Sequence, residues 1–256
     1  MKISIVTATY NSGVSLRDTL ESVLSQTYDD YEHIIVDGGS TDNTLDILRE
    51  YEPRYKGRLK WHSEPDRGIY DAMNKGIARA TGELVGLLNS DDFYTSDDVL
   101  ASIAESYKSG GGDAVYGDVC YVHPNDLKKM VRRYSSASFS RWKMRLGFMP
   151  AHPSFYCRRS VYMRLGMFDL RFKIAADFEQ LLRLIFVNHI KTKYIPKTFV
   201  TMRTGGASTS GLSSHRQIYH DHMMAYKVNG VYSNCMLESM RYMCKICERI
   251  RDKIAL

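Results

Sequence analysis

The apolar run Leu84-Val85-Gly86-Leu87-Leu88 ends abruptly in Asn89-Ser90-Asp91-Asp92, and this junction constrains the fold more than any other stretch of the chain. An uninterrupted apolar run bounded by short polar residues reads as a strand buried on both faces. Such strands belong to sheets covered by helices on either side. The residues that follow the strand then sit at the carboxyl edge of the sheet, where open α/β proteins place their ligands. Carboxylates there are hard oxygen ligands suited to Mg²⁺ or Mn²⁺, ions that commonly bridge to phosphates. The same four residues also suit a cap on the following helix, so the junction alone leaves both readings open.

The preceding sequence repeats the pattern. Residues 2–9, 32–37, 59–62 and 83–88 read as strands, and 15–26, 43–51 and 69–80 as helices between them. Strands alternating with helices at this spacing imply an α/β fold with a Rossmann-like, mostly parallel sheet flanked by helices. Beyond residue 90 the alternation loosens. A helix is expected over 99–107, strands over 114–121, 129–134, 154–157 and 192–195, and helices over 178–186, 213–228 and 236–254. The small-residue stretch 205–211 reads as a loop.

Length and composition set outer limits. With 256 residues and 44% hydrophobic content the chain can bury one large core, and no apolar stretch reaches transmembrane length. The chain opens directly on a strand pattern without a secretory leader, so the expected location is cytoplasmic. Five cysteines without a disulfide framework fit reduced thiols, and the isolated Cys244-x-x-Cys247 spacing is better explained by a helix than by zinc. Residues 127–168 hold ten Lys and Arg and no Asp or Glu, while the rest of the chain has a slight excess of acids. One basic segment suits phosphate groups on a substrate or an anionic membrane surface; it equally suits a solvated face.

Four clusters stand at strand ends: Thr7-Ala8-Thr9-Tyr10-Asn11, Asp37-Gly38-Gly39-Ser40-Thr41-Asp42, the run from Ser63 to Gly76, and Asn89-Ser90-Asp91-Asp92. In order and spacing they resemble the inverting family 2 glycosyltransferases of GT-A fold. Downstream, His152-Pro153-Ser154-Phe155, Gly166-Met167-Phe168-Asp169 and Ala175-Ala176-Asp177-Phe178-Glu179 resemble the acceptor half of that family. The similarity is greatest to bacterial transferases that assemble capsule, O-antigen and exopolysaccharide repeat units, and it covers roughly residues 1–210. The resemblance divides the chain into a GT-A domain over 1–210, with a nucleotide-sugar half to 120 and an acceptor half from 121, and a C-terminal helical extension over 211–256.

The resemblance also assigns roles. Thr7, Thr9 and Asn11 are expected to line the base and ribose pocket, and Asp37 to accept the N3 proton of uracil, which cytosine lacks. Asp66, Arg67, Asn74, Lys75 and Ser90 complete the donor set. Asp91 is the expected ligand of a Mn²⁺ or Mg²⁺ ion, with Asn89 standing where many members carry a first Asp and His215 a candidate to complete the shell. Asp177 is the expected general base, while His152 and Glu179 are expected to line the acceptor cleft. The implied reaction is transfer from a nucleotide sugar, UDP-linked by expectation, to an undecaprenyl-diphosphate-type glycolipid. The basic segment and last helix would hold the enzyme peripherally on the inner face of the membrane, and the late helices offer a homodimer contact. No nucleic-acid partner is expected. Two rivals are a nucleotidyltransferase, disfavoured because residues 7–13 lack the Arg or Lys of a phosphate loop, and a non-catalytic nucleotide-sugar-binding module, which leaves Asp91 and Asp177 unexplained together.

Overall fold

Alternate residues of the first strands feed two separate cores, which is why these strands read as apolar throughout. In the computed structural model, which describes residues 1–110, 112–205 and 212–240, β1 (Ile3–Thr9) sends Val6 and Ala8 to one face and Ile3 and Ile5 to the other. β2 (Tyr31–Asp37) divides Ile34 and Val36 from Tyr31 and Ile35 in the same way. β3 (Leu59–Ser63) and β4 (Leu84–Leu87) complete a parallel set in the order β3-β2-β1-β4. The helices α1 (Leu16–Leu24) and α2 (Thr44–Tyr51) cover one face and α3 (Ile69–Arg79) the other.

The second half extends this sheet with mixed strand directions. After the short β5 (Phe93–Tyr94) and α4 (Val99–Lys108) come β6 (Ala114–His123), β7 (Asp126–Tyr134), β8 (Phe155–Arg158), α5 (Arg159–Leu165), α6 (Ala176–Leu181) and β9 (Thr192–Arg203). Among the described residues the strands form one sheet ordered β3-β2-β1-β4-β8-β6-β9-β5, with β7 paired to β6 beyond β8. β8 runs antiparallel to both β4 and β6, and β9 runs parallel to β6. β1 pairs with β2 on one side and β4 on the other, so chain order reverses at β1. The crevice outside such a reversal point is where open α/β sheets bind ligands.

Close approach of α3 to β1 fixes what the crevice contains. A Cβ at Gly76 would lie 2.2 Å from Val6 Cγ1, so only glycine lets the helix sit this near the strand. The expected elements appear with two informative differences. β9 runs to Arg203 rather than stopping at 195, because Pro196 falls in the irregularity between the pairs Tyr116↔Tyr194 and Asp118↔Thr198, where no ladder donor is needed. The helix expected over 178–186 is α6 followed by a π-helical turn, Leu182–Val187, whose wider winding a 3.6-residue period does not reveal.

α7 (Leu212–Val228) packs Ala225 and Tyr226 into the core that also holds Phe178, and the Tyr226 hydroxyl donates to the Met144 carbonyl at 2.9 Å. The start of the expected extension is thus continuous with the main core. Residues 235–240 are helical. The rest of the last helix, with Cys244 and Cys247, and most of the loop expected over 205–211 lie outside the described residues. No helix among the described residues is long and apolar enough to cross a membrane.

One buried carboxylate ties β1, β2 and the turn before β4 together. Glu32, 1% exposed, accepts from Ser4 Oγ (2.7 Å), the Thr81 N–H (2.7 Å) and hydroxyl (2.8 Å), and Lys60 Nζ (2.8 Å). Burial alone would raise its pKa, but these donors outweigh it and hold the carboxyl well below its usual range. A depressed folded-state pKa contributes stability that is fully present above the unfolded value and lost as pH falls. Glu32→Gln is expected to cost about 1–3 kcal/mol at pH 7 in urea unfolding. The difference from wild type should shrink progressively below pH 4.5.

Candidate active site

The loops after β1 and β2 are knotted together by short polar side chains. Asn11, in the left-handed region at φ 48°, accepts the N–H of Thr41 on its amide oxygen at 2.9 Å, while its own N–H donates to Ser40. Asp37 is fully buried and accepts from the N–H groups of Gly39 (3.0 Å) and Ser40 (2.9 Å), from the Ser63 hydroxyl (2.7 Å) and from the Ser40 hydroxyl. Thr7 faces the interior, bonded to His33 Nε2 at 2.9 Å. Thr9 differs from these, because its buried hydroxyl has no partner among the described residues. Of this first group, the geometry leaves Thr9 free for a ligand and gives Asn11, Asp37 and Thr7 structural bonds.

At the end of β4, Ser90 meets the first loop through a hydroxyl pair with Ser12 (2.8 Å), and its carbonyl accepts from Ser15 (3.0 Å). Asn89 donates to the buried Asp92 at 3.0 Å, and burial with the nearby Asp91 charge pushes the Asp92 carboxyl well up. Asn89 and Asp92 are therefore occupied with each other. The Asp91 carboxylate, in contrast, has no hydrogen bond or ion pair among the described residues, while its carbonyl accepts from Arg203. Arg203, at the end of β9, also pairs with Asp18, a residue placement that no local motif signalled.

α3 carries the third cluster. Asp66 caps the approach to the helix by accepting the Gly68 N–H at 2.7 Å, and Arg67 is 77% exposed with one long ion pair to Asp71 at 3.2 Å. Asn74 and Lys75, expected to meet the donor, are engaged elsewhere. Asn74 forms two 2.8 Å bonds to the backbone N–H and C=O of Phe168, and Lys75 donates to the Pro65 carbonyl at 3.0 Å beside Asp71 and Glu64. Tyr70 was absent from the expected set. Its ring stacks on Phe168 and its hydroxyl donates to the Ile174 carbonyl, joining this helix to the acceptor half.

Asp177 opens α6 and is partly buried, with its carboxyl pushed up to about 6 chiefly by removal from water and further by Asp221. Asp221 reaches from α7 to accept the N–H groups of Ile174 (2.9 Å) and Ala175 (3.1 Å). Burial raises the Tyr121 phenol, Arg132 opposes this, and Asp92 and Asp177 both add to it, so Tyr121 stands within electrostatic reach of both acidic motifs. Tyr121 thus links the end of β4 and the start of α6 electrostatically. Glu179 does not join them: it is buried, paired with Arg183 (2.9 Å) and accepting from Asn229 (3.1 Å). His152 packs edge-on to Phe168, its pKa lowered to about 4 by burial, which leaves it neutral. His215 is exposed on α7, and no group of three metal-ligating side chains occurs among the described residues.

Known proteins match this arrangement. The profile described as Glycosyl transferase family 2 matches residues 4–166, which contain all four strand-end clusters whole. The chain belongs to glycosyl transferase family 2. It is 34% identical over 193 residues to a PGL/p-HBAD biosynthesis glycosyltransferase of Mycobacterium bovis, covering 75% of this chain and 73% of that one. A second relative, an uncharacterized glycosyltransferase of Mycobacterium tuberculosis, is 35% identical over 219 residues, covering 84% and 78%. Among solved structures, S. aureus TarS 1–349 in complex with UDP-GlcNAc superposes with TM-score 0.69 at 21% identity over 86% of this chain. The mannosyltransferase PcManGT from Pyrobaculum calidifontis, in complex with GDP-Man and Mn²⁺, gives 0.64 at 20% over 89%. The chain spans 66% and 63% of those two chains. The fold is GT-A-like, and membership makes the chain a glycosyltransferase using a nucleotide-sugar donor, which sets aside the nucleotidyltransferase reading.

In this family 2 transferase Asp221 supplies a negative charge and two backbone anchors to the segment that presents Asp177. Removing that charge favours ionised Asp177 and lowers its pKa. Asp221→Asn is expected to move the acid limb of the kcat/KM profile below the wild-type midpoint near pH 6 and to reduce the plateau. An unmoved limb would separate Asp221 from the titration of Asp177.

Proposed function

We propose that this glycosyltransferase inverts the anomeric centre of a UDP-linked sugar while transferring it to a hydroxyl of a lipid-linked acceptor. The observation that carries the reading is that two acidic motifs within electrostatic reach of Tyr121 hold Asp91, whose carboxylate has no partner among the described residues, and Asp177, whose carboxyl is raised to about 6. An inverting displacement needs one base on the face opposite the leaving group. Asp177, ionised at neutral pH, takes the acceptor's hydroxyl proton as its oxygen bonds to C1 and the bond from C1 to the diphosphate breaks. Arg67 and Arg203 lie at the donor edge as cations for the diphosphate.

Asp91 fits a divalent ion, since it is a free hard carboxylate beside the reversal of the sheet. Such an ion, when bound, neutralises charge on the departing nucleoside diphosphate. The mutual engagement of Asn89 and Asp92 leaves Asp91, its carbonyl beside Arg203, as the protein carboxylate for that role, and the exposed His215 on α7 is the candidate imidazole.

Two further observations support a lipid-linked acceptor. β7 is exposed along nearly its whole length and carries Lys128, Lys129 and Arg132 together with the exposed Met130 and Val131, a composition suited to an anionic lipid surface. The name of the Mycobacterium bovis relative also points to a glycolipid. The capsule and O-antigen setting expected from the sequence has no support in the relatives named above.

Thermal melting with UDP and Mn²⁺, alone and combined, tests the donor site. Stabilisation by the pair beyond the sum of each is the expected result, because a ligand bound to the native state raises stability by mass action. Asp177→Asn is expected to retain that stabilisation while losing about a hundredfold or more of sugar transfer from a UDP-sugar panel to lipid-linked acceptors. Near-normal turnover by the variant would remove Asp177 as the base.

A further inference from the structure

We propose that Asp66, rather than Asp37, accepts the imino N–H of the donor's uracil, and that Gly38 is what gives it the space to do so. This rests on the uridine-nucleotide reading above and adds the residue that selects the base.

Asp37 is spent. Its four donors leave a buried carboxylate whose role is to fasten the loop from Gly38 to Ser40 onto β3. Asp66 has the opposite character. Its Oδ1 accepts the Gly68 N–H, but Oδ2 has no hydrogen bond among the described residues. That free oxygen lies 2.5 Å from the point where a Cβ at residue 38 would stand. Any side chain at 38 would displace it, and the backbone there is fixed by a 2.9 Å bond from the Gly38 N–H to the Thr9 carbonyl.

Two neighbours turn this oxygen into part of a pocket. The Tyr10 ring reaches within 3.4 Å of the same point and is 63% exposed, which leaves an aromatic surface for a base to stack on. The adjacent Thr9 carries the buried hydroxyl without a partner. An aromatic face and a free carboxylate oxygen therefore meet at the carboxyl ends of β1 and β2, next in sequence to that unsatisfied hydroxyl. Uracil offers an N–H between two carbonyls, whereas cytosine offers a bare ring nitrogen at that position. A carboxylate accepts only, so it pairs with the first and faces the second with lone pair against lone pair. Buried or half-buried polar groups left unpaired in this way give strong discrimination.

The test is calorimetric titration of UDP and CDP, each with Mn²⁺, into wild type and three variants. Wild type is expected to prefer UDP by about tenfold or more, the range of one hydrogen bond to a charged group. Asp66→Asn should lose that preference. Its single carbonyl oxygen is held by the Gly68 N–H, so the amide N–H₂ turns to the base and suits cytosine. Gly38→Ala should lose the preference as well, because its Cβ displaces Oδ2 while Asp66 stays in the chain. Asp37→Asn should melt at lower temperature yet keep the wild-type ratio. A UDP-selective wild type whose Asp66→Asn and Gly38→Ala variants keep the ratio overturns this inference alone, as does loss of the ratio in a folded Asp37→Asn. Failure of wild type to bind either nucleotide overturns the donor reading and this inference with it.

Discussion

The segment from Leu165 to Ala175 leads into Asp177, and apart from a turn closed by Asp169 its backbone is held by residues from other elements. Its backbone is met from outside. Arg183 donates to the carbonyls of Leu165, Gly166 and Met167, and Asn74 bonds both polar groups of Phe168. Tyr70 takes the Ile174 carbonyl, and Asp221 takes the N–H groups of Ile174 and Ala175. Where these backbone groups are shielded from water, as at Phe168 and Ala175, leaving one unpaired would cost about 1–3 kcal/mol. The anchors come from α3, the π-helical turn after α6, and α7. The donor half, the acceptor half and the start of the C-terminal extension therefore all converge on the segment that leads into Asp177.

This convergence explains why several residues that look like ligand contacts in the sequence are structural. Asn74 and Glu179 lie within motifs that carry chemistry, yet Asn74 clamps Phe168 and Glu179 orients Arg183. Asp37, on the donor side, likewise fastens a loop, from a carboxylate at a strand end.

The parallel half of the fold was legible because each strand is apolar on both faces and each helix repeats at 3.6 residues. Those are local signals. β9 was truncated at Pro196 because a bulge, a property of its pairing with β6, is invisible in one strand, and the π-helical turn breaks the period that identifies a helix. Asp91 and Asp177 were readable as candidates from strand-end position and family resemblance. Tyr70, Tyr121, Arg203 and Asp221 were not, since each acts on residues far away in sequence, as with the 104 residues between Tyr70 and Ile174. The free oxygen of Asp66 over Gly38 likewise depends on two loops meeting.

The central claim is that one cleft holds the donor diphosphate toward Asp91 and the sugar toward Asp177. Crystals grown with UDP and Mn²⁺ and measured at the manganese absorption edge test it directly. The account predicts an anomalous peak within coordination distance of the Asp91 carboxylate and the UDP diphosphate, with the uracil against Tyr10. A peak held by other side chains, or a nucleotide bound away from the ends of β1 and β4, would contradict it.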